Sequence, residues 1–285
     1  MSSPARPTVA IVGGGRVGQA LGKVLTYAGY PITDVVCRTL ASARKAIRFI
    51  GAGTPRRVDA IAEIEADVLI FAIPDDEIAS TAARLADARA SMKGVVALHT
   101  SGALDSSALE PLRKCGADVG SMHPLQSFSS PGLGASRVMG SVFALEGSRR
   151  AVSTARAMAR AVGGRPITLK ANAKPLYHAA AVMASGHVTA LIDASLEAMR
   201  GTGMGDDDAL AAILPLIWGT LDNIGDVGTV EALTGPFARG DEGTVARNRA
   251  ALAALDEGLI RVYETLGDRS RVLAARKRPL QGRKR

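Results

Sequence analysis

From residue 8 to residue 169 the chain alternates short β-branched apolar runs with segments whose apolar residues recur at helical spacing. The runs TVAIV (8–12), ITDVVC (32–37), DVLIFAI (67–73), VVALHT (95–100), ADVGSM (117–122), SVFALE (141–146) and RPITL (165–169) read as strands. Helical patterns fill most of the gaps, over 16–28, 41–50, 76–90, 106–115 and 149–162. This alternation predicts βαβ units and a mostly parallel sheet, because joining parallel strands needs a crossover long enough to hold a helix. The stretch SSPGLGAS (129–136), rich in Gly, Ser and Pro, reads as a loop.

Past Lys170 the strand pattern stops. Residues 175–200 read as one long helix with Pro175 at its first position, where a missing N–H costs nothing. Residues 206–225 continue helically past Pro215, with a kink or break expected there, and 243–266 form a last helix. An α/β region, 1–169, is thus followed by an all-helical region, 170–268, and no internal repeat is visible.

Charge marks off a third region. The formal net charge is +8, yet residues 269–285, RSRVLAARKRPLQGRKR, hold eight Lys and Arg and no acidic residue. Without them the 35 basic residues fall to 27, which balances the 27 Asp and Glu. The body is neutral, and the excess is a tail expected to be solvated and disordered; nucleic-acid binding is not expected from it. No window of about 18 residues is both apolar and free of polar breaks, so no membrane span is expected. The N-terminus runs almost at once into TVAIV without the basic-then-apolar pattern of a secretory leader, which makes the cytoplasm the expected location. Cys37 and Cys115 are too few and too far apart for a disulfide framework or a cysteine zinc site, and read as small buried apolar residues.

The segment AIVGGGRVGQAL puts Gly13, Gly15 and Gly18 in GxGxxG spacing, directly after a strand and opening a helix. Such glycines allow a tight turn and close backbone approach to a pyrophosphate seated on the helix N-terminus. Gly14, Arg16 and Val17 complete the candidate cofactor turn. In this context the pattern predicts a Rossmann-type, doubly wound, mostly parallel α/β sheet that binds a dinucleotide, followed by an all-helical C-terminal domain. An NAD-preferring site wants a carboxylate at the end of the second strand. Here VVCRTL offers Arg38 and Thr39, a guanidinium and a hydroxyl that suit a 2′-phosphate, so NADP(H) is the expected cofactor. The plainer alternative makes Arg38 a surface residue opening the next helix. Ile73 and Pro74 end a buried strand and are expected to border the cofactor, while Asp75 and Asp76 read as helix caps.

Three polar clusters fall at strand ends or at the domain junction. LHTSGAL carries His99, Ser101 and Gly102; SMHPLQSF carries His123 and Gln126; KPLYHAAAVMASGHV carries Lys174 and His178. Lys174 and His178 are i,i+4 and share one helix face. A helix N-terminus opposes an ammonium, which should lower the lysine pKa, and its free N–H groups attract an anion. Reducing a carbonyl or imine needs a hydride donor, a proton donor and a polar anchor. Lys174, His178, Ser101 and His123 are therefore candidate catalytic residues, with His99, Gly102 and Gln126 as candidate substrate contacts. Each also has a plainer reading, as a surface lysine or a hydrogen-bonded core histidine. His99, His123 and His178 lack carboxylate or cysteine co-ligands at a known spacing, and no metal is expected.

The stretches GGGRVG, AIPDD, LHTSGAL, HPLQSF, KPLYHAAAVMAS and LTGPFARGD lie in this order over residues 11–241. As a set they resemble a bacterial Rossmann-like family whose helical C-terminal domain is of unknown function, some members of which resemble an alternative ketopantoate reductase. The wider superfamily includes 6-phosphogluconate dehydrogenase-like and β-hydroxyacid dehydrogenases. The resemblance implies that Lys174 is the catalytic acid/base, that Ser101 and Gly102 form the turn holding a substrate carboxylate, and that the helical domain forms a homodimer. It also offers Arg239, in LTGPFARGD, as a partner for a substrate carboxylate, beside the plainer reading of a solvated turn. The chain departs from the pattern twice: His178 stands where the superfamily has asparagine, and Gly186 stands where the family is expected to have it.

Residues and resemblance together predict an NADP-dependent reductase of a small anionic carbonyl compound. A 2-oxo acid, ketopantoate first, would be the substrate, with Lys174 and His178 supplying the proton. An imine reductase similar to pyrroline-5-carboxylate reductase is the enzymatic alternative. A non-catalytic NADP-binding sensor or scaffold is the alternative from another class.

Overall fold

In the computed structural model, which describes residues 6–277, the apolar runs become β1 Val9–Val12, β2 Ile32–Cys37, β3 Thr54–Arg57, β4 Val68–Phe71, β5 Val96–His99, β6 Asp118–Leu125, β7 Val142–Gly147 and β8 Arg165–Thr168. They form one sheet in the order β3-β2-β1-β4-β5-β6-β7-β8. Every neighbouring pair is parallel except β6 and β7, whose antiparallel register sets Ser121 opposite Glu146. Helices α1 Arg16–Tyr27, α2 Leu40–Ile50, α3 Asp75–Asp87, α4 Glu110–Lys114, α5 Pro131–Arg137, α6 Arg149–Ala161 and α7 Lys174–Ala184 accompany the sheet.

Both sheet faces are covered, which explains the unbroken apolar runs. Val9, Ile11, Val35 and Ile70 join Leu21 and Leu25 of α1 in one core layer. Ala10, Val12, Leu69 and Phe71 join Ile78 and Leu85 of α3 in the other. Sheet growth reverses at β1, between β2 and β4, so a crevice is expected outside the carboxyl ends of β1 and β4.

Two elements differ from the sequence expectation here. Strand β3, TPRR, carries a proline and two arginines and has no apolar alternation; as an edge strand it tolerates all three. The expected loop at 129–136 contains α5, because Ser130 accepts from the Leu133 N–H at 3.2 Å as an N-cap and Pro131 fills the first helical position.

The chain divides into two compact units, Met1–Met183 and Ala184–Arg285. The expected boundary at 169/170 thus lies inside the first unit. The expected single helix over 175–200 is broken at Ser185, whose backbone (φ −124°, ψ −76°) leaves the helix before α8, Gly186–Arg200.

The second unit continues with α9 Asp206–Ala232, α10 Pro236–Arg239, α11 Glu242–Leu255 and α12 Glu257–Ala274. Inside α9 the backbone departs from helical geometry at Gly228 (φ +77°) rather than at Pro215. A positive φ is cheap only for glycine. The last expected helix is two helices, because Asp256 is extended and its carboxylate accepts from the Leu259 N–H at 3.0 Å, capping α12. Residues 269–274, expected in a disordered tail, belong to α12. Arg271 there pairs with Glu242 at 3.1 Å and Asp268 at 3.2 Å and lies 5.0 Å over the Phe237 ring. Residues 278–285 lie outside the described residues.

The helical unit leaves much apolar surface uncovered within the chain, including Leu216, Trp218, Leu221 and Val227 along α9. Ala171–Arg200 and Asp206–Arg239 are long and apolar enough by length and composition to cross a membrane, so the expectation that no such stretch exists is too strong. Their polar residues, among them Asp193, Asp222 and Asp226, interrupt the apolar surface without ending the helices.

Candidate functional site

The carboxyl ends of β1, β2 and β4 border a cavity of about 360 Å³, lined among others by Gly13, Gly14, Gly15, Arg38, Ile73 and Pro74. Gly13 has φ +112°, and a Cβ there would collide with the Ala72 carbonyl. A Cβ on Gly14 would come within 2.6 Å of Cys37 Sγ, and one on Gly18 would overlap the Gly13 carbonyl. Gly15, the N-cap of α1, faces open space. The first two glycines thus let the turn hug β4 and β2, the third opens the α1 N-terminus, and Gly18 packs helix against turn. This is a cradle that side chains would fill, and it fits a dinucleotide pyrophosphate.

Not every predicted cofactor residue lines the cavity. Arg16 is exposed at the first position of α1, and Val17 packs against the core. The Thr39 side chain caps α2, accepting from the Ser42 N–H at 3.1 Å, and Ser42 lines the cavity instead. Arg38 has a side chain 86% exposed at the rim, 3.9 Å from Glu77. Ser42, Glu77 and Thr81 are lining residues that the sequence reading missed.

Along the sheet, Lys174 opens α7 and is only 1% exposed. Its Nζ donates to the Ser101 carbonyl at 2.9 Å and to the Ser121 hydroxyl. Burial is the main cause that lowers its pKa to about 8, opposed by the carboxylates of Glu146, Asp105 and Asp75. Desolvation therefore does most of what the helix dipole was expected to do.

Ser101 is the hub of the turn after β5. Its hydroxyl donates to Asp75 at 2.7 Å and accepts from the Ala103 and Leu104 N–H groups at 3.2 and 3.0 Å. Asp75 follows Pro74, so this bond ties the lysine cluster to the glycine-rich cavity. Glu146 accepts from the Ser106 N–H and hydroxyl at 2.7 and 2.8 Å.

The three histidines take different positions. His99 is fully buried, bonded through Nε2 to the Asp105 carbonyl at 2.9 Å, and burial lowers its pKa to about 4. It supports the turn from below and is not exposed to a substrate. His123 is half-buried, with Nδ1 3.0 Å from the Tyr177 hydroxyl, and its pKa falls to about 4 by burial and then by the nearby Lys174. His178 stands edge-on to His123, ring centroids 5.9 Å apart. A Cβ on Gly102 would meet both rings, 2.5 Å from His178 Nδ1 and 2.8 Å from His123 Nε2. Lys174, Ser101, Gly102, His123 and His178 are thus brought together.

Gln126 is not part of this group: its amide donates to the Arg137 carbonyl and the Ser141 hydroxyl, holding the loop after β6. Arg239 belongs to the second unit, exposed at the end of α10. Asp75, Ser121, Glu146 and Tyr177 are neighbours that the sequence reading missed. Ser121 was within reach, since it stands two residues before His123 on a strand and so shares its face.

A Rossmann-like domain model matches residues 2–124, and the model described as Domain of unknown function (DUF2520) matches residues 141–270. Each model thus matches less than half of the chain, one the α/β part and the other the part that follows. The DUF2520 match begins at Ser141 and so takes in β7, α6 and β8 as well as the helices that follow. No curated protein matches this chain. Among solved structures it is similar to protein TM1727 from Thermotoga maritima, at 27% identity and TM-score 0.73, covering 94% of this chain and 98% of that one. It is also similar to BF3122 from Bacteroides fragilis, a candidate NADP oxidoreductase, at 22% identity and TM-score 0.77, covering 95% and 100%. A reductive aminase from Aspergillus terreus, in complex with NADPH and ethyl-5-oxohexanoate, aligns at 19% identity and TM-score 0.65 over 93% of each chain. The last two likenesses, below a quarter identical, are likenesses of fold.

Proposed function

We propose that this protein is an NADP(H)-dependent oxidoreductase that reduces a small anionic carbonyl compound. The observation that carries the reading is the buried Lys174, hydrogen-bonded at a turn that Asp75 joins to the dinucleotide cavity. A lysine so thoroughly desolvated holds its proton only weakly near neutral pH, as a general acid must. Binding a nucleotide alone needs no such group, which argues against a silent sensor or scaffold.

The nicotinamide, when bound, supplies the hydride. The glycine turn and the α1 N-terminus would hold the pyrophosphate, and Arg38 would be the cation available to a 2′-phosphate at the rim. Lys174 Nζ has three N–H groups and gives two to Ser101 and Ser121, which leaves one for the oxygen that becomes the alcohol. Ser101, its hydroxyl and carbonyl already engaged, holds the turn so that Gly102 faces the substrate carboxylate, with His123 and His178 beside it. A 2-oxo acid fits these roles, and ketopantoate is the first candidate. A cyclic or secondary imine is the second reading, favoured by the likeness of fold to the Aspergillus reductive aminase.

The uncovered apolar surface of α9 supports a homodimer through the helical unit. Its broken polar residues suit a protein partner better than a lipid interior, where each would need satisfaction.

The test is NADPH oxidation against a panel of small 2-oxo acids and cyclic imines, with Lys174→Ala as the control. Turnover lost in the variant at unchanged NADPH affinity is expected. Turnover untouched by Lys174→Ala removes the assignment.

A further inference from the structure

Tyr177 has no role in the reaction described above, yet its hydroxyl is placed 3.0 Å from His123 Nδ1, the rings meeting edge to face. Burial pushes the phenol up to about 12 and holds the imidazole down at about 4, so near neutral pH the pair is a phenol and a neutral ring. A neutral imidazole carries a single N–H, on one nitrogen or the other. A phenol O–H is a better donor than an imidazole N–H, and an imidazole nitrogen a better acceptor than a phenol oxygen. The favoured bond therefore runs from Tyr177 to Nδ1, which leaves the ring proton on Nε2.

What Nε2 faces gives this a purpose. His123 Nε2 and His178 Nδ1 both turn to the position that a Gly102 Cβ would occupy. His178 Nδ1 is buried and has no hydrogen-bond partner among the described residues. A buried polar nitrogen without a partner is costly, and it is aimed into the turn beside Lys174.

We infer that Tyr177 is a positioning residue: by donating to His123 Nδ1 it fixes the proton on Nε2, so that Nε2–H and His178 Nδ1 together receive one polar group of the substrate over Gly102. The receiving pair suits a carbonyl, carboxylate or hydroxyl oxygen, since Nε2–H requires an acceptor. The consequence for turnover rests on the reductase reading, whereas the tautomer does not.

Long-range ¹H–¹⁵N correlation spectra of the ¹⁵N-labelled full chain test both parts, because the protein has only four histidines. His123→Gln assigns the signal, and the signal of the fully buried His99 reports an intact fold in each variant. The expected result is a single Nε2–H tautomer for His123, which becomes a mixture in Tyr177→Phe. A proton on Nδ1 in the unaltered protein, or an unchanged His123 signal in Tyr177→Phe, overturns the inference. In turnover, Tyr177→Phe should raise KM roughly ten-fold and leave kcat within about two-fold, the signature of lost positioning. A fall in kcat at constant KM overturns the positioning role. If the tautomer shifts as expected but the unaltered protein reduces nothing on the panel, the reductase reading fails while Tyr177 still fixes the His123 ring.

Discussion

Ser101 donates its hydroxyl to Asp75 at 2.7 Å while its carbonyl accepts from Lys174 at 2.9 Å. One residue thereby ties the helix that follows the dinucleotide cavity to the lysine that opens α7.

Lys174 should set the alkaline limit of reduction. Burial lowers its folded pKa to about 8, from an ordinary value near 10.5. The protonated form is the acid, so kcat/KM should be level below about pH 8 and fall about ten-fold per pH unit above it. Steady-state rates between pH 6 and 10 check this. A profile level to pH 10 would mean that Lys174 is not the acid.

Gly102→Ala should block the site without unfolding the protein. The added methyl would press on both His123 and His178. Displacing two rings that orient a substrate should lower kcat/KM on the order of 100-fold. Thermal unfolding should shift by only a few degrees, and a variant with normal kinetics would show that the rings do not touch substrate.

Arg38→Asp should reverse the cofactor preference. Losing a charge-assisted contact to the 2′-phosphate and adding a carboxylate should weaken NADPH by roughly 10- to 100-fold. Glu77, 3.9 Å from Arg38, competes for the guanidinium, so Glu77→Gln should tighten NADPH a few-fold. Titration calorimetry with both nucleotides decides it; equal affinities for NADH and NADPH in the unaltered protein would refute the 2′-phosphate site.

If the apolar face of α9 is covered by a second copy as proposed, Trp218→Glu should abolish that dimer. Trp218 is 61% exposed in the isolated chain, on the apolar length of α9. Sedimentation velocity should show the unaltered protein as a dimer and the variant shifted to monomer. Pelleting of the unaltered protein with phosphatidylcholine vesicles would point to lipid as the cover instead.

Much of the α/β half was legible because its strands are buried on both faces and its glycine turn has strict spacing. Strand β3 was not, since an edge strand of Thr, Pro and two Arg carries no core pattern. Breaks inside the helical half were misplaced for a related reason. Ser185 and Asp256 leave the helix through backbone geometry and capping, and neither resembles a breaker, whereas Pro215 does and breaks nothing. Within the site, Lys174, His123 and His178 were readable as polar residues in apolar settings. Glu146 was not, because it nears Lys174 only through the antiparallel register that puts it opposite Ser121.

That antiparallel pair also has a bearing on the order in which the chain acquires its chemistry. Lys174 loses its ordinary basicity through burial when α7 docks over Ser121, whereas the β6–β7 pairing brings Glu146 near and opposes that loss. A chain in which α7 has not docked would carry an ordinary solvated ammonium at this position. The lysine's depressed pKa is therefore a property of the finished tertiary structure, and its titration would report completed folding from the inside.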